Sequence, residues 1–169
     1  MWGTFSARTR WIVVGTASAV VAAVAVWLLW PAAEEPRPRE YADVTACLLT
    51  DQRGLSDSEA AATWAGMQEA SLATKGQVRY LQVAGAQTVD NAATFVGTLM
   101  LNRCAVIVGV GPLPREAIAQ TAPNHPDQRF MVVGEGSGGA NVSTVSAVPA
   151  NDLRGLISNA IEFFLTAGN

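Results

Sequence analysis

From Val44 to Phe164 the chain alternates short apolar runs with longer segments of helical period, and few architectures satisfy that alternation. Val44 to Thr50 is apolar and stops at Asp51-Gln52-Arg53-Gly54, the pattern of a buried strand followed by a loop. Ser56 and Glu59 stand at capping-box spacing, so a helix is expected from there to about Thr74, with Ala60, Trp64, Met67 and Ser71 on one face. Lys75-Gly76 supplies a cation and a left-handed stop at its end. Gln77 to Val83 reads as a second strand. Thr88 is placed to cap a helix whose stripe is Val89, Ala92, Ala93, Val96, Leu99 and Met100.

Cys104 to Val108 is a third, wholly apolar strand ending at Gly109-Val110-Gly111. Pro114 suits the first position of a third helix, which ends near Pro123. Arg129 to Val133 and Val142 to Val148 are the fourth and fifth strands. A last helix from about Asp152 carries Leu153, Leu156, Ile157, Ala160, Ile161 and Phe164 on one face. Near-continuous apolar strands alternating with helices predict an α/β fold: a single doubly wound, mostly parallel five-stranded sheet covered on both sides. Right-handed crossovers place the loops that follow the strands along one edge, and ligands of such sheets bind there, where strand order reverses. The loop from Asp51 to Asp57 and the turn from Gly109 to Pro112 are the two segments that meet this description.

Upstream, Trp11 to Trp30 is an apolar run without a charge, preceded by Arg8 and Arg10 and followed by Pro31. About 20 apolar residues suffice to cross a bilayer as a helix, tryptophans favour its boundaries, and preceding arginines favour a cytoplasmic amino terminus. The expected organisation is a cytoplasmic segment over 1–10, a transmembrane signal-anchor helix over 11–30, a Pro-rich stalk over 31–42 and an extracytoplasmic α/β lobe over 43–169. The chain would then be a single-pass protein of the cell membrane. The alternative is a cleaved signal peptide and a secreted product, with Pro31-Ala32-Ala33 offering the cleavage site; the long run and its bulky Trp-Leu-Leu-Trp end favour the anchor.

Composition narrows the chemistry. Net charge is -3, and the arginines after the stalk are scattered without a basic stripe, so no nucleic-acid partner is expected. Two cysteines and one histidine are too few for a structural zinc site, and no cofactor or metal is expected. Neither Gly-x-Ser-x-Gly nor His-Glu-x-x-His occurs, and His125 has no nucleophile beside it, so no enzyme is expected. Gly134 to Gly139 lacks the Lys-Ser or Lys-Thr ending and the following helix of a phosphate loop, and reads as a turn. Asn141-Val142-Ser143 is a glycosylation triplet by pattern. Cys47 and Cys104 lie on the first and third strands, neighbours in a doubly wound sheet, four and five residues before Asp51 and Gly109. Outside the cytoplasm they could form a disulfide; two buried thiols fit the same positions.

Several of these segments together resemble a known family. Thr50-Asp51-x-x-Gly54-Leu55-Ser56-Asp57, Trp64-Ala65-Gly66-Met67, Val108-Gly109-Val110-Gly111 and Pro126-Asp127-x-Arg129-Phe130-Met131-Val132-Val133-Gly134 are similar, in order and spacing, to the first lobe of the basic membrane protein family. Its members are substrate-binding proteins of ABC transporters with a type 1 periplasmic binding fold, and many bind purine nucleosides between two lobes. The resemblance implies one such lobe here, over roughly Thr45 to Gly155. It implies a small, nucleoside-like ligand, and an ABC transporter or another membrane protein as partner. Ser56-Asp57 stands where the family has an Asn-Asp pair, Ala60 or Ala61 where it has a stacking aromatic, and Pro112, Leu113 and Pro114 where it has a polar group. The implied ligand-binding residues are Asp51, Gly54, Ser56, Asp57, Gly109 and Gly111. For Asp51 and Asp57 the plain alternative is a loop acid and a helix-start acid; for the two last glycines it is a simple turn. The competing expectation is a non-catalytic interaction lobe with a vestigial pocket.

Overall fold

The computed structural model describes residues 42–136, 138–146 and 148–167; the expected anchor and stalk lie outside the described residues. Five strands, β1 (Thr45–Thr50), β2 (Gln77–Gln82), β3 (Cys104–Val110), β4 (Arg129–Val133) and β5 (Val142–Val145), form one sheet of order β2-β1-β3-β4-β5 in which every pairing is parallel. Among the described residues four α-helices, α1 (Ser58–Thr74), α2 (Val89–Leu101), α3 (Pro112–Thr121) and α4 (Ala150–Ala167), alternate with them. This is the flavodoxin-like order, with its switch point between β1 and β3.

Each face of the sheet has its own core. Leu48, Val106, Val108, Met131 and Val133 pack with Ala60, Met67 and Ala70 of α1 and with Leu153, Ile157, Ile161 and Leu165 of α4. On the other side Leu49, Ile107, Phe130 and Val132 meet Ala92, Val96 and Leu99 of α2 and Ala117 and Ile118 of α3. Strands buried on both faces explain why β1 and β3 read as continuous apolar runs. The helices α1 and α4 approach closely at Gly66, where an added Cβ would lie 2.5 Å from the Arg154 carbonyl oxygen and 3.0 Å from Ile157 Cβ.

Cys47 and Cys104 form a disulfide, with Cα atoms 5.8 Å apart and both side chains buried. The two cysteines are not level: register pairs Cys47 with Ile107 and Cys104 with Thr45. A bulge between Thr45 and Ala46 and their partners inserts Ala105 as the extra residue. Simple alternation would turn Cys104 away from the face that Ile107 occupies. The bulge returns Cys104 to that face, where Cys47 also points, and the bridge becomes geometrically feasible.

Several expected boundaries move. The left-handed stop after α1 is Lys75, at φ 62, whereas Gly76 is required because a Cβ there would meet both Cδ atoms of Leu165 at 2.8 Å. Pro112, not Pro114, is the first residue of α3, because β3 runs two residues further than its apolar core suggested, to Val110. The fifth strand ends at Val145 rather than Val148, as the chain leaves the sheet for Pro149 and α4. On α4, Leu156 is exposed and Leu165 is buried, so the core-facing stripe is Leu153, Ile157, Ile161 and Leu165. Trp64 is half-buried at the rim of the core, its ring 6.0 Å from that of Tyr80.

Candidate functional site

Thr50 and Val110, the last residues of β1 and β3, are register partners, so the two loops at the switch point start side by side. The first turns sharply at Gly54, whose φ of 58 places it in the left-handed region. A Cβ at Gly54 would collide with the Tyr80 hydroxyl and come within 2.9 Å of Gln82 Oε1. These two β2 side chains strap the loop down. The Tyr80 hydroxyl lies 3.3 Å from both Thr50 Oγ1 and Gln82 Oε1, and Gln82 Nε2 donates to the Gln52 carbonyl at 2.6 Å.

Arg53 organises the acids. Its backbone amide donates to Asp51 Oδ1 at 2.9 Å, and its guanidinium reaches Asp51 Oδ2 at 3.2 Å and Asp57 Oδ2 at 2.9 Å. The hydrogen bond to Asp51, then the charges of Asp51 and Asp57, raise the Arg53 guanidinium above its ordinary pKa. Asp57 Oδ1 accepts from the amides of Glu59 and Ala60 at 3.0 and 3.3 Å. Asp57 is therefore the N-cap of α1, and the expected Ser56–Glu59 capping box does not form. Ser56 instead donates its hydroxyl to the Arg53 carbonyl at 2.5 Å. Alternation of acid and base at 51, 53 and 57 was visible in the sequence, but their convergence depends on the turn at Gly54.

Asp57→Ala is expected to destabilise the fold by about 1 kcal/mol through loss of this cap, whereas Asp57→Asn, which keeps a side-chain acceptor, costs only a few tenths. Urea unfolding of the two variants checks this; equal losses would mean that the carboxylate charge, not the cap, carries the contribution.

Gly111 (φ 91) precedes α3, and a Cβ there would stand 3.3 Å from Asp51 Oδ2. The two loops thus converge at Gly111 and Asp51, and Asp51, Ser56 and Asp57 lie along one rim. Gly54, Gly109 and Gly111 do not offer themselves in the same way: all three are buried. Gly109 is inside β3 rather than in the turn, and its missing Cβ makes room for Ile118, whose Cδ1 would lie 2.5 Å away.

Further residues join the rim that sequence reading passed over. Gly134 (φ 96) follows β4 directly, and Arg115 of α3 crosses there to donate from Nη1 to the Val133 carbonyl at 3.1 Å. A Cβ on Gly134 would collide with that nitrogen and would lie 3.6 Å from Glu59 Oε1 of α1. A glycine immediately after an apolar strand was the available signal for this close approach.

The chemistry of the rim follows from its donors. A helix start holds anions through its free amides. At α1 those of Glu59 and Ala60 are already taken by Asp57. At α3, Pro112 and Pro114 have no N–H to give. Neither helix start is a good phosphate cradle. The rim instead presents guanidinium donors and carboxylate acceptors suited to hydrogen-bonding an uncharged polar group or a polar protein surface. Among the described residues no cluster of three or more His, Cys, Asp or Glu is placed to hold a metal ion.

No family model matches this chain, and comparison with curated protein sequences gives no match. Similar solved structures exist. A "putative lipoprotein" fragment from Peptoclostridium difficile 630 superposes with a TM-score of 0.62 at 12% identity, over 73% of this chain and 99% of that one. A transcriptional activator of the comK gene from Bacillus halodurans gives 0.49 at 16% identity, over 60% and 33%. A diflavin flavoprotein A3 from Nostoc sp. gives 0.43 at 16% identity, over 75% and 94%. At such identities the first likeness concerns the fold alone.

Proposed function

We propose that this chain is a membrane-anchored, extracytoplasmic, non-catalytic lobe, similar to one half of an ABC-transporter substrate-binding protein of the basic membrane protein family. Its functional face is the carboxyl edge of the sheet between β1 and β3. The observation that carries the reading is the convergence of the Asp51–Asp57 loop and Gly111 at the switch point, where sheets of this order bind ligands. The exposed Arg53, held between two carboxylates, and the filled or proline-blocked helix starts favour a small uncharged polar ligand, nucleoside-like by the family resemblance. One lobe buries less of a ligand than a closed cleft does, so a partner membrane protein, such as a transporter subunit, supplies the second wall. The buried disulfide supports an oxidising compartment. The apolar run from Trp11 to Trp30 supports a tether. The lipoprotein description of the Peptoclostridium difficile neighbour is in keeping with that, though its likeness speaks for the fold alone.

The test is a thermal-shift titration of the full chain in detergent with nucleosides and with the corresponding monophosphates. Stabilisation by millimolar nucleoside, absent with the monophosphate and lost in Asp51→Ala, is the expected result. Indifference to every compound discards the ligand reading.

One observation favours a second reading. Every carboxylate oxygen of Asp51 and Asp57 already has a partner within the loop or the first turn of α1. Such a self-satisfied rim suits docking to a protein, with the ancestral pocket vestigial. Crosslinking in intact cells separates the two: a partner captured equally by wild type and by Asp51→Ala identifies an interaction lobe.

A further inference from the structure

At the opposite edge of the sheet, remote in the fold from the switch point, a half-open cavity of about 530 Å³ lies between the end of α3 and the start of β5. Ala119, Ala122, Pro123, Pro126, Ala140 and Val142 give it small apolar walls. Its frame is held by hydrogen bonds. The Asn141 side-chain amide donates to the carbonyls of Ala122, His125 and Gln128 at 2.8 to 3.1 Å, tying the entry of β5 to the turn that follows α3. The Gln128 amide fixes the start of β4 by donating to the carbonyls of Cys104 and Arg129 at 3.0 Å each. Gly139 and Val142 bond each other through both backbone pairs and close the far wall. The three bonds from the Asn141 side chain engage the nitrogen that a glycan there would need.

Among the described residues Arg129 is the one ionisable side chain of the lining, and it is exposed. No ion pair with it occurs among the described residues. A single cation without a carboxylate partner, set against apolar walls, is complementary to a ligand with one negative charge and a compact apolar body. The volume falls within the ordinary range for small-molecule sites, roughly 300–1,000 Å³. A guanidinium pairs with a carboxylate through two parallel hydrogen bonds, which gives such a ligand its orientation. We propose that this cavity is a binding site for small apolar monocarboxylates, with Arg129 holding the carboxylate and the Ala–Pro–Val walls the hydrocarbon part.

The experiment is calorimetric or ligand-observed NMR titration of the full chain in detergent with benzoate, and with benzamide as its uncharged isostere. Benzoate is expected to bind in the millimolar range or tighter, with benzamide about tenfold weaker, the loss set by one charge-assisted pair. Arg129→Gln, at an exposed position, is expected to reproduce that tenfold loss for benzoate and to leave benzamide unchanged. Ala119→Phe, which fills the cavity from an exposed helix position, is expected to remove both without lowering the melting temperature. Equal affinity for benzoate and benzamide, benzoate binding untouched by Arg129→Gln or Ala119→Phe, or no benzoate binding at millimolar concentration overturns the proposal.

Discussion

Replacing Cys47 and Cys104 together by alanine is expected to remove about 4 kcal/mol of stability, the value the chain-entropy model assigns to a bridge closing a loop of this length. The sequence separation is 57 residues, and the loop encloses α1, β2 and α2, so without the bridge the unfolded chain regains freedom over nearly half of the lobe. The bridge is buried among Leu49, Ile107 and Phe130, so the substitution also leaves an apolar gap. For a domain of this size the loss corresponds to a fall in melting temperature of roughly 10–20 °C. Thermal unfolding of wild type with and without reductant, beside the double variant, checks it. Reductant should bring the wild type close to the variant and leave the variant where it was. Two reactive thiols in the denatured, unreduced protein, or a difference below about 1 kcal/mol, would show that the bridge contributes nothing and would remove the argument for an oxidising compartment.

Gly66→Val is expected to cost about 3 kcal/mol, at the upper end for overpacking. The reason is what the new side chain meets. The Cβ would press on the Arg154 carbonyl oxygen at 2.5 Å and on Ile157 at 3.0 Å. Backbone cannot rotate away as a side-chain tip can, so α1 and α4 would have to separate along the contact that also carries the Glu69–Arg154 ion pair. Gly97, on the exposed side of α2, has nothing within 4 Å of an added Cβ and is the control: Gly97→Ala is expected to be neutral or mildly stabilising. Urea denaturation of both variants decides. Equal effects at the two glycines would mean that helix propensity, not interhelical approach, sets the requirement.

Much of this fold was legible along the chain because burial on both faces writes itself into composition. The strands β1, β3 and β4 and the stripes of α1 and α2 lie where apolar runs and helical spacing put them. Edges were less legible. β5 is bordered by a partner on one side only, its middle residues Ser143 and Thr144 are exposed, and its alternation did not report where pairing stops. Of the six residues expected at the site, Gly109 lies inside β3 and the other five on the two loops; Asp51, Ser56 and Asp57 line the rim, Gly54 and Gly109 are packing positions, and Gly111, buried against Asp51, marks where the loops meet. Arg53 and Arg115 were unreadable in that role, because a guanidinium's partners depend on loop geometry and, for Arg115, on a strand 14 or more residues away in sequence.

Periodicity and apolar content, properties of each segment taken alone, determined that this lobe is a parallel α/β sheet with its loops gathered at a switch point, because a segment's spacing of side chains decides which face it can bury. The meeting of separate segments belonged to the tertiary structure alone. One bulge turned Cys104 toward Cys47, the turn at Gly54 wrapped two acids around Arg53, and the close approach at Gly66 brought α4 onto α1. Each depends on ångström-scale register between elements remote in sequence, and no local pattern encodes a distance across the fold.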